Sequence, residues 1–296
     1  MFVDIHVHTR RPPIPDRGGR PAYATPEQLL ERYDAIGVEK AVLLPGVNPE
    51  CAHHPQSVQE VVSITEQYPD RFVPFCNIDP RSMANSADAP LGDLMRFYQD
   101  LGCKGIGEVA ANLPFLDPRV WNFFRHAEEA GLPITFHMAA QIGGTYGLYD
   151  DPGLPQFERS LQRFPALTFL AHSQTFWAEM APLDTPADRY GYPDYPVREE
   201  GVVPRLMRRY ENLYGDLSAN SGYNALARDP DYAVGFLSEF QDRLLFGTDI
   251  CSPVTPTPLV DFLLDLRGAG KIREEVFQKI ARQNAVKLLG LAEEGG

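Results

Sequence analysis

The feature that most constrains this chain is a repeated alternation of short apolar, β-type runs with amphipathic, helix-type segments. The strand-like runs fall at Phe2–His6, Ala41–Leu44, Phe72–Asn77, Gly105–Val109, Ile134–His137, Thr168–Ala171, Leu213–Leu217 and Leu244–Gly247. Between them, apolar residues recur at helical spacing. Thr25-Pro26-Glu27-Gln28 reads as an N-cap, a first-turn proline and a capping-box glutamine. Leu29, Leu30, Tyr33 and Ile36 then make one apolar face, and Gly37 supplies the stop. Trp121, Phe124 and Ala127 repeat that logic before Gly131. Strands that alternate with helices predict parallel strands joined by helical crossovers.

The connections are unequal. Helix-to-strand links are short, as in Tyr68-Pro69-Asp70-Arg71 and Ala130-Gly131-Leu132-Pro133. Strand-to-helix links are long and rich in Pro, Gly and Tyr: Thr9–Ala24, Pro45–Pro55, Met138–Pro152, Ser173–Gly201 and Ile250–Pro258. In a (β/α)₈ barrel the loops leaving the C-terminal ends of the strands build the active site. The chain has 296 residues and no linker-like shift in composition. The expectation is therefore an α/β fold, a single (β/α)₈ TIM-barrel domain over residues 1–296 with long βα loops. An open doubly wound sheet is the alternative. It would not normally bring reactive side chains from both ends of the chain into one site, whereas a closed barrel sets the first strand beside the last.

A formal net charge of −13 opposes nucleic acid and anionic membranes as partners. It leaves room for a small anionic substrate, because a local arginine or a metal ion can reverse the sign within a cleft. Cys51, Cys76, Cys103 and Cys251 are scattered without paired spacing, which fits reduced thiols better than a disulfide framework. There is no basic, cleavable leader, and no run approaches the roughly 18 apolar residues needed to span a bilayer. These features predict a cytoplasmic protein that acts on a small molecule.

The histidines carry the chemistry. His6 and His8 stand two apart at the end of the first strand, so the strand period aims both at the barrel mouth. His137 ends the fifth strand, His172 the sixth, and Asp249 follows the eighth. Imidazole nitrogens and a carboxylate converging on one rim are the donors that zinc, iron and manganese sites use, with a position left open for water or substrate. One buried histidine commonly satisfies a backbone carbonyl; four histidines and an aspartate together at strand ends point to a metal site.

These residues resemble the amidohydrolase superfamily, specifically its amidohydrolase 2 branch, which includes relatives of aminocarboxymuconate semialdehyde decarboxylase and resorcylate decarboxylase. The resemblance runs through Asp4-Ile5-His6-Val7-His8-Thr9, Lys104-Gly105-Ile106-Gly107-Glu108, Thr135-Phe136-His137, Ala171-His172-Ser173 and Phe246-Gly247-Thr248-Asp249. It ends in Asn284-Ala285 ahead of Leu288-Leu289-Gly290-Leu291. It implies a divalent metal, zinc first with manganese or iron as alternatives, held by His6, His8, His137 and Asp249. It also implies that His172 polarises a substrate carbonyl or moves a proton, and that Asp249 exchanges a proton with the attacking water and the leaving group. A homodimer or larger assembly is part of the same implication. Glu108 ends the fourth strand, where binuclear relatives carry a bridging group. It is a candidate ligand that would recruit a second ion with His137 and His172, a carboxylate supporting the ligands, or a substrate contact. One ion is expected, with two as the alternative.

Among lesser candidates, Arg10 and Arg11 follow the His-X-His strand and can clamp a substrate carboxylate. Trp177 and Tyr146 lie on mouth loops and can wall a pocket for a ring-shaped substrate. His53 and His54 sit on the loop after the second strand, and His126 reads as structural. The leading expectation is metal-dependent hydrolysis of a C–N or C–O bond in an amide, lactone or ester, through a metal-activated water. Non-oxidative decarboxylation of an aromatic or enoic acid is the alternative, distinguished by release of carbon dioxide without incorporation of water. A barrel that only binds is a third reading, which failure to retain any metal would support.

Overall fold

The computed structural model describes residues 1–11, 22–51 and 54–292. Nine strands occur among them: β1 (Phe2–Val7), β2 (Val38–Leu43), β3 (Phe72–Pro74), β4 (Ile106–Val109), β5 (Ile134–Ala139), β6 (Leu148–Tyr149), β7 (Phe169–His172), β8 (Leu213–Asp216) and β9 (Leu244–Leu245). Their pairings are parallel and form two arcs, β1-β2-β3 and β4-β5-β7-β8-β9. The arcs join on both sides. Cys76 N–H donates to Gly105 O at 2.9 Å and Gly107 N–H to Cys76 O at 2.8 Å. Opposite, Ile5 N–H donates to Phe246 O at 3.0 Å, Asp249 N–H to His6 O at 2.8 Å and His8 N–H to Ile250 O at 3.0 Å. The sheet therefore closes on itself as a TIM barrel, with β1 beside β9.

Each expected strand run overlaps a barrel strand, and each barrel strand is followed by a helix. The strand that was not expected is β6. It pairs with the end of β5, Met138 against Leu148 and Ala139 against Tyr149, and braces the long loop beyond His137. The first helix, Pro26–Ile36, starts as its sequence predicts. Gln28 N–H donates to Thr25 Oγ1 at 3.3 Å, Gln28 Oε1 accepts from Thr25 N at 3.0 Å, and Gly37 closes the helix at φ 77.

Alternation along the strands sorts the core into two layers. Val3, Ile5, Val42, Leu44, Val73, Phe75, Leu170 and Leu245 cluster with Ala285, Val286 and Leu289. These are the inward positions, plugged from below by the helix Asn284–Leu289. The alternate positions, among them Ala41, Leu43, Phe136, Phe169 and Phe246, pack outward against the helices. Above the inner apolar layer the same inward positions become polar, and there the site begins.

The seam between β1 and β9 is pinned by Asp4, which is fully buried. Its carboxylate accepts from Thr248 N at 2.9 Å, Thr248 Oγ1 at 2.5 Å, Tyr33 Oη at 2.5 Å and His6 N at 3.0 Å. Burial pushes its pKa up to about 6 despite these donors. No helix among the described residues is long and apolar enough to cross a membrane.

A second buried carboxylate gives a pH prediction. Asp150 accepts from the backbone N–H groups of Asp151, Gln156 and Phe157 at 2.7–3.0 Å, capping the helix Pro155–Arg163. Burial raises its pKa from 3.8 to about 7. The folded state then holds the proton more tightly than the unfolded state, so this group's contribution is fully present below pH 3.8 and is lost as pH rises towards 7. Asparagine mimics the protonated form without titrating. The stability deficit of Asp150→Asn relative to wild type is expected to shrink as pH rises through that window. Urea midpoints at several pH values check it, and a constant deficit would contradict it.

Candidate metal centre

The inward residues at the strand ends meet above the apolar floor. His6 is wholly enclosed, and His8, His137 and His172 are buried. His6 Nδ1 lies 2.6 Å from Asp216 Oδ2, and His8 Nδ1 lies 2.8 Å from Leu44 O. Each of these contacts fixes the proton of a neutral imidazole on Nδ1 and leaves a lone pair on Nε2. The two Nε2 atoms face each other at 3.2 Å. Two lone pairs at that distance repel unless a proton or a metal ion lies between them. Ligand nitrogens on one tetrahedral ion, with bonds of about 2.0–2.1 Å, stand about 3.3 Å apart. The arrangement fits a divalent metal.

Glu108 stands at the centre. Its Oε2 lies 3.6 Å from His8 Nε2 and 3.8 Å from His6 Nε2. Its Oε1 lies 2.8 Å from His137 Nδ1 and 3.9 Å from His172 Nε2. Asp249 closes the ring: Oδ1 is 3.6 Å from His8 Nε2 and 3.7 Å from His6 Nε2, and Oδ2 is 3.9 Å from His172 Nε2. His6, His8 and Glu108 form one compact donor group, and Glu108, His137 and His172 form another. His6, His172 and Asp249 make a third, with all donor atoms within 4.8 Å of one another. His137 joins only the group that contains Glu108 and His172.

The electrostatics call for positive charge. Burial alone would lower the pKa of His6, but the carboxylate of Asp216, backed by Asp249 and Glu108, raises it to about 10. Burial and the neighbouring His6 charge push His172 down to about 4. Burial opposes ionisation of Glu108 too, yet its hydrogen bonds to His137 and His8 hold it well below the usual carboxylate range. Without a metal the carboxylates keep a proton on His6; a divalent ion would supply that charge and release the proton.

Of the expected residues, His6, His8, Glu108, His137, His172 and Asp249 converge. Tyr146 does as well, its ring 4.5 Å from that of His137. Burial and the charges of Glu108 and Asp249 hold its hydroxyl protonated, with a pKa above the usual value. Arg10 is buried, and its guanidinium carbon stacks 4.5 Å from the Tyr23 ring while Nη1 donates to His54 O. Its Nε has no acceptor, and no carboxylate among the described residues pairs with it. His53 lies outside the described residues. His126 pairs with Glu129 on the helix Pro118–Ala130.

Two expectations are corrected. Arg11 turns outward: its N–H donates to Glu60 Oε1 at 3.0 Å, and its guanidinium lies 3.9 Å from Glu27 and 5.8 Å from the Tyr68 ring. One residue beyond Arg10, it takes the opposite face of the chain. Trp177 is buried behind the strands, where Nε1 donates to Asp216 O at 3.0 Å and the ring packs on Phe176 and Phe236. A Cβ on Gly215 would come within 2.8 Å of that indole, so the glycine makes room for it. Trp177 supports β8 from outside and lines no pocket.

Asp216 and Ser218 were not anticipated. Asp216 anchors His6, and Ser218 Oγ shares a hydrogen bond with His172 Nδ1 at 2.9 Å. The available signal was an aspartate inside the apolar run Leu213–Leu217, at the mouth end of a strand. Asp216→Asn keeps the shape but weakens the hold on the His6 tautomer. It is expected to lower metal affinity about 10–100-fold, measured by competition with a chelator. Unchanged affinity would make the contact purely architectural.

With this geometry in hand, similarity to known proteins is informative. The chain belongs to the amidohydrolase family, whose model matches residues 3–291. No curated protein matches it. An uncharacterised TIM-barrel protein from Bordetella bronchiseptica superposes with a TM-score of 0.64 at 18% identity, covering 98% of each chain. The 5-carboxyvanillate decarboxylase of Sphingomonas paucimobilis gives 0.62 at 18% identity, covering 98% of this chain and 99% of its own. A Pseudomonas putida protein described as a 2-pyrone-4,6-dicarboxylic acid hydrolase gives 0.61 at 15% identity, covering 99% of this chain and 98% of its own. At these identities the superpositions establish the barrel and leave the reaction to be argued from the site.

Proposed function

We propose that the protein is a metal-dependent hydrolase of a carboxylate-bearing amide, lactone or ester, with Glu108 among the residues that would hold two divalent ions. The observation that carries this reading is the Glu108 carboxylate itself, with one oxygen turned to the His6 and His8 nitrogens and the other to His137 and His172. His6, His8 and Asp249 would hold the first ion and His137 and His172 the second, so His172 would serve as a ligand rather than a free acid. Bound ions of this kind make hydroxide available from water at neutral pH and polarise a scissile carbonyl.

The protein residues do the rest. Asp249 takes the proton of the attacking water and passes it to the leaving group. Tyr146, protonated and beside His137, donates a hydrogen bond to the carbonyl oxygen as charge develops on it. Arg10 would hold the substrate carboxylate: its buried guanidinium has no carboxylate partner among the described residues, and an anionic substrate can pair with it.

The test is turnover by metal-loaded protein in ¹⁸O-water against carboxylate-bearing lactones, esters, amides and aromatic acids. One labelled oxygen in the product without carbon dioxide release supports hydrolysis. Carbon dioxide release from an aromatic or enoic acid without label would replace this reading with the decarboxylase that the same donors can serve.

A further inference from the structure

We infer that the thiolate of Cys251 is a further ligand on the His6 and His8 side of the metal centre, giving that position a mixed nitrogen, oxygen and sulfur donor set. The inference rests on the metal centre proposed above and adds a residue to it. Cys251 stands two residues past Asp249, where the chain turns through φ 52. Its backbone is held from both sides: Ala24 N–H donates to its carbonyl at 2.6 Å, and its own N–H donates to Thr255 Oγ1 at 3.4 Å. The backbone that carries the thiol is therefore fixed at the rim.

Among the described residues the thiol has one hydrogen-bond acceptor, Asp249 Oδ1 at 3.6 Å. That oxygen also lies 3.6 Å from His8 Nε2, and His8 Nε2 lies 3.2 Å from His6 Nε2. The sulfur, the Asp249 oxygen and the His8 nitrogen all fall within 4.8 Å of one another. Bonds of about 2.0 Å to oxygen and about 2.3 Å to sulfur around a tetrahedral ion separate the two donors by about 3.5 Å. The 3.6 Å between the sulfur and the Asp249 oxygen matches that separation.

Coordination breaks the S–H bond, sends the proton to solvent and forms a sulfur–metal bond; no electron changes hands. A sulfur donor shifts preference towards zinc, cobalt and cadmium and away from manganese and magnesium. Cys51 provides the control, since its thiol lies on the loop after β2 and donates to Asn48 O at 3.4 Å.

The experiment is cobalt(II) loading of the metal-free full chain, read by absorption. The expected result is a near-ultraviolet sulfur-to-cobalt charge-transfer band that is lost in Cys251→Ser and kept in Cys51→Ser. Cobalt bound with ordinary visible d–d bands but no charge-transfer band in the wild type overturns the sulfur ligand and leaves the metal centre standing. A band that survives in Cys251→Ser and vanishes in Cys51→Ser assigns the sulfur to the other cysteine and overturns this inference. No cobalt retained at all overturns the metal centre and this inference together.

Discussion

A Glu108→Gln protein is expected to retain one divalent ion per chain where the wild type retains two. The amide keeps the size of the side chain and can still contact His137, but it cannot bridge two cations with two anionic oxygens. In the two-ion reading, the ion at His6, His8 and Asp249 would keep those donors, and the ion at His137 and His172 would be left with two. Elemental analysis of protein purified without chelator, run beside the variant, reads the difference directly. Because Oε1 sits 2.8 Å from His137 Nδ1, the loss should fall on the second ion. One ion in both proteins would return Glu108 to the role of a positioning carboxylate and remove the two-ion reading.

The second large effect is on turnover. Asp249→Asn, assayed at saturating metal, is expected to lower kcat by about 10²–10⁴-fold, the range for removing a positioned proton carrier. Its KM should move little, because the substrate anchors proposed here, Arg10 and Tyr146, are untouched. Asp249 offers one oxygen to the His6 and His8 nitrogens and the other towards His172. Saturating metal separates its ligand role from its proton role. A variant that regains full kcat once metal is supplied would show that Asp249 only binds the ion.

Much of this fold was legible in the sequence, because barrel strands are short, apolar and regularly spaced between amphipathic helices. The clustered histidines were legible for the same reason: a polar imidazole at the end of an apolar strand stands out against its surroundings. The misses share a cause. Asp216 ends an apolar run, where an aspartate reads equally as the cap of the next helix, and only the closed barrel shows it 2.6 Å from His6, 210 residues away in the chain. Trp177 sits in a mouth loop by sequence, yet the helix Gln174–Ala178 turns its indole behind β8, into the space left by Gly215. Arg11 neighbours Arg10, and alternation sends the two to opposite faces. Sequence position locates a loop, whereas side-chain direction depends on neighbours that arrive from elsewhere in the chain.

The seam that Asp4 pins has a consequence for how the molecule comes into being. Thr248 reaches Asp4 across 244 residues, and Asp249 accompanies it to the site. A ribosome making this chain exposes His6 and His8 more than 240 residues before Asp249, so the cage stays incomplete until that residue emerges. Contacts of such long range slow folding, since the loop they close must be ordered before they form. An ion captured by the finished cage would hold the first strand to the last, and mass action would then make the lifetime of the closed protein depend on the cell's supply of that metal.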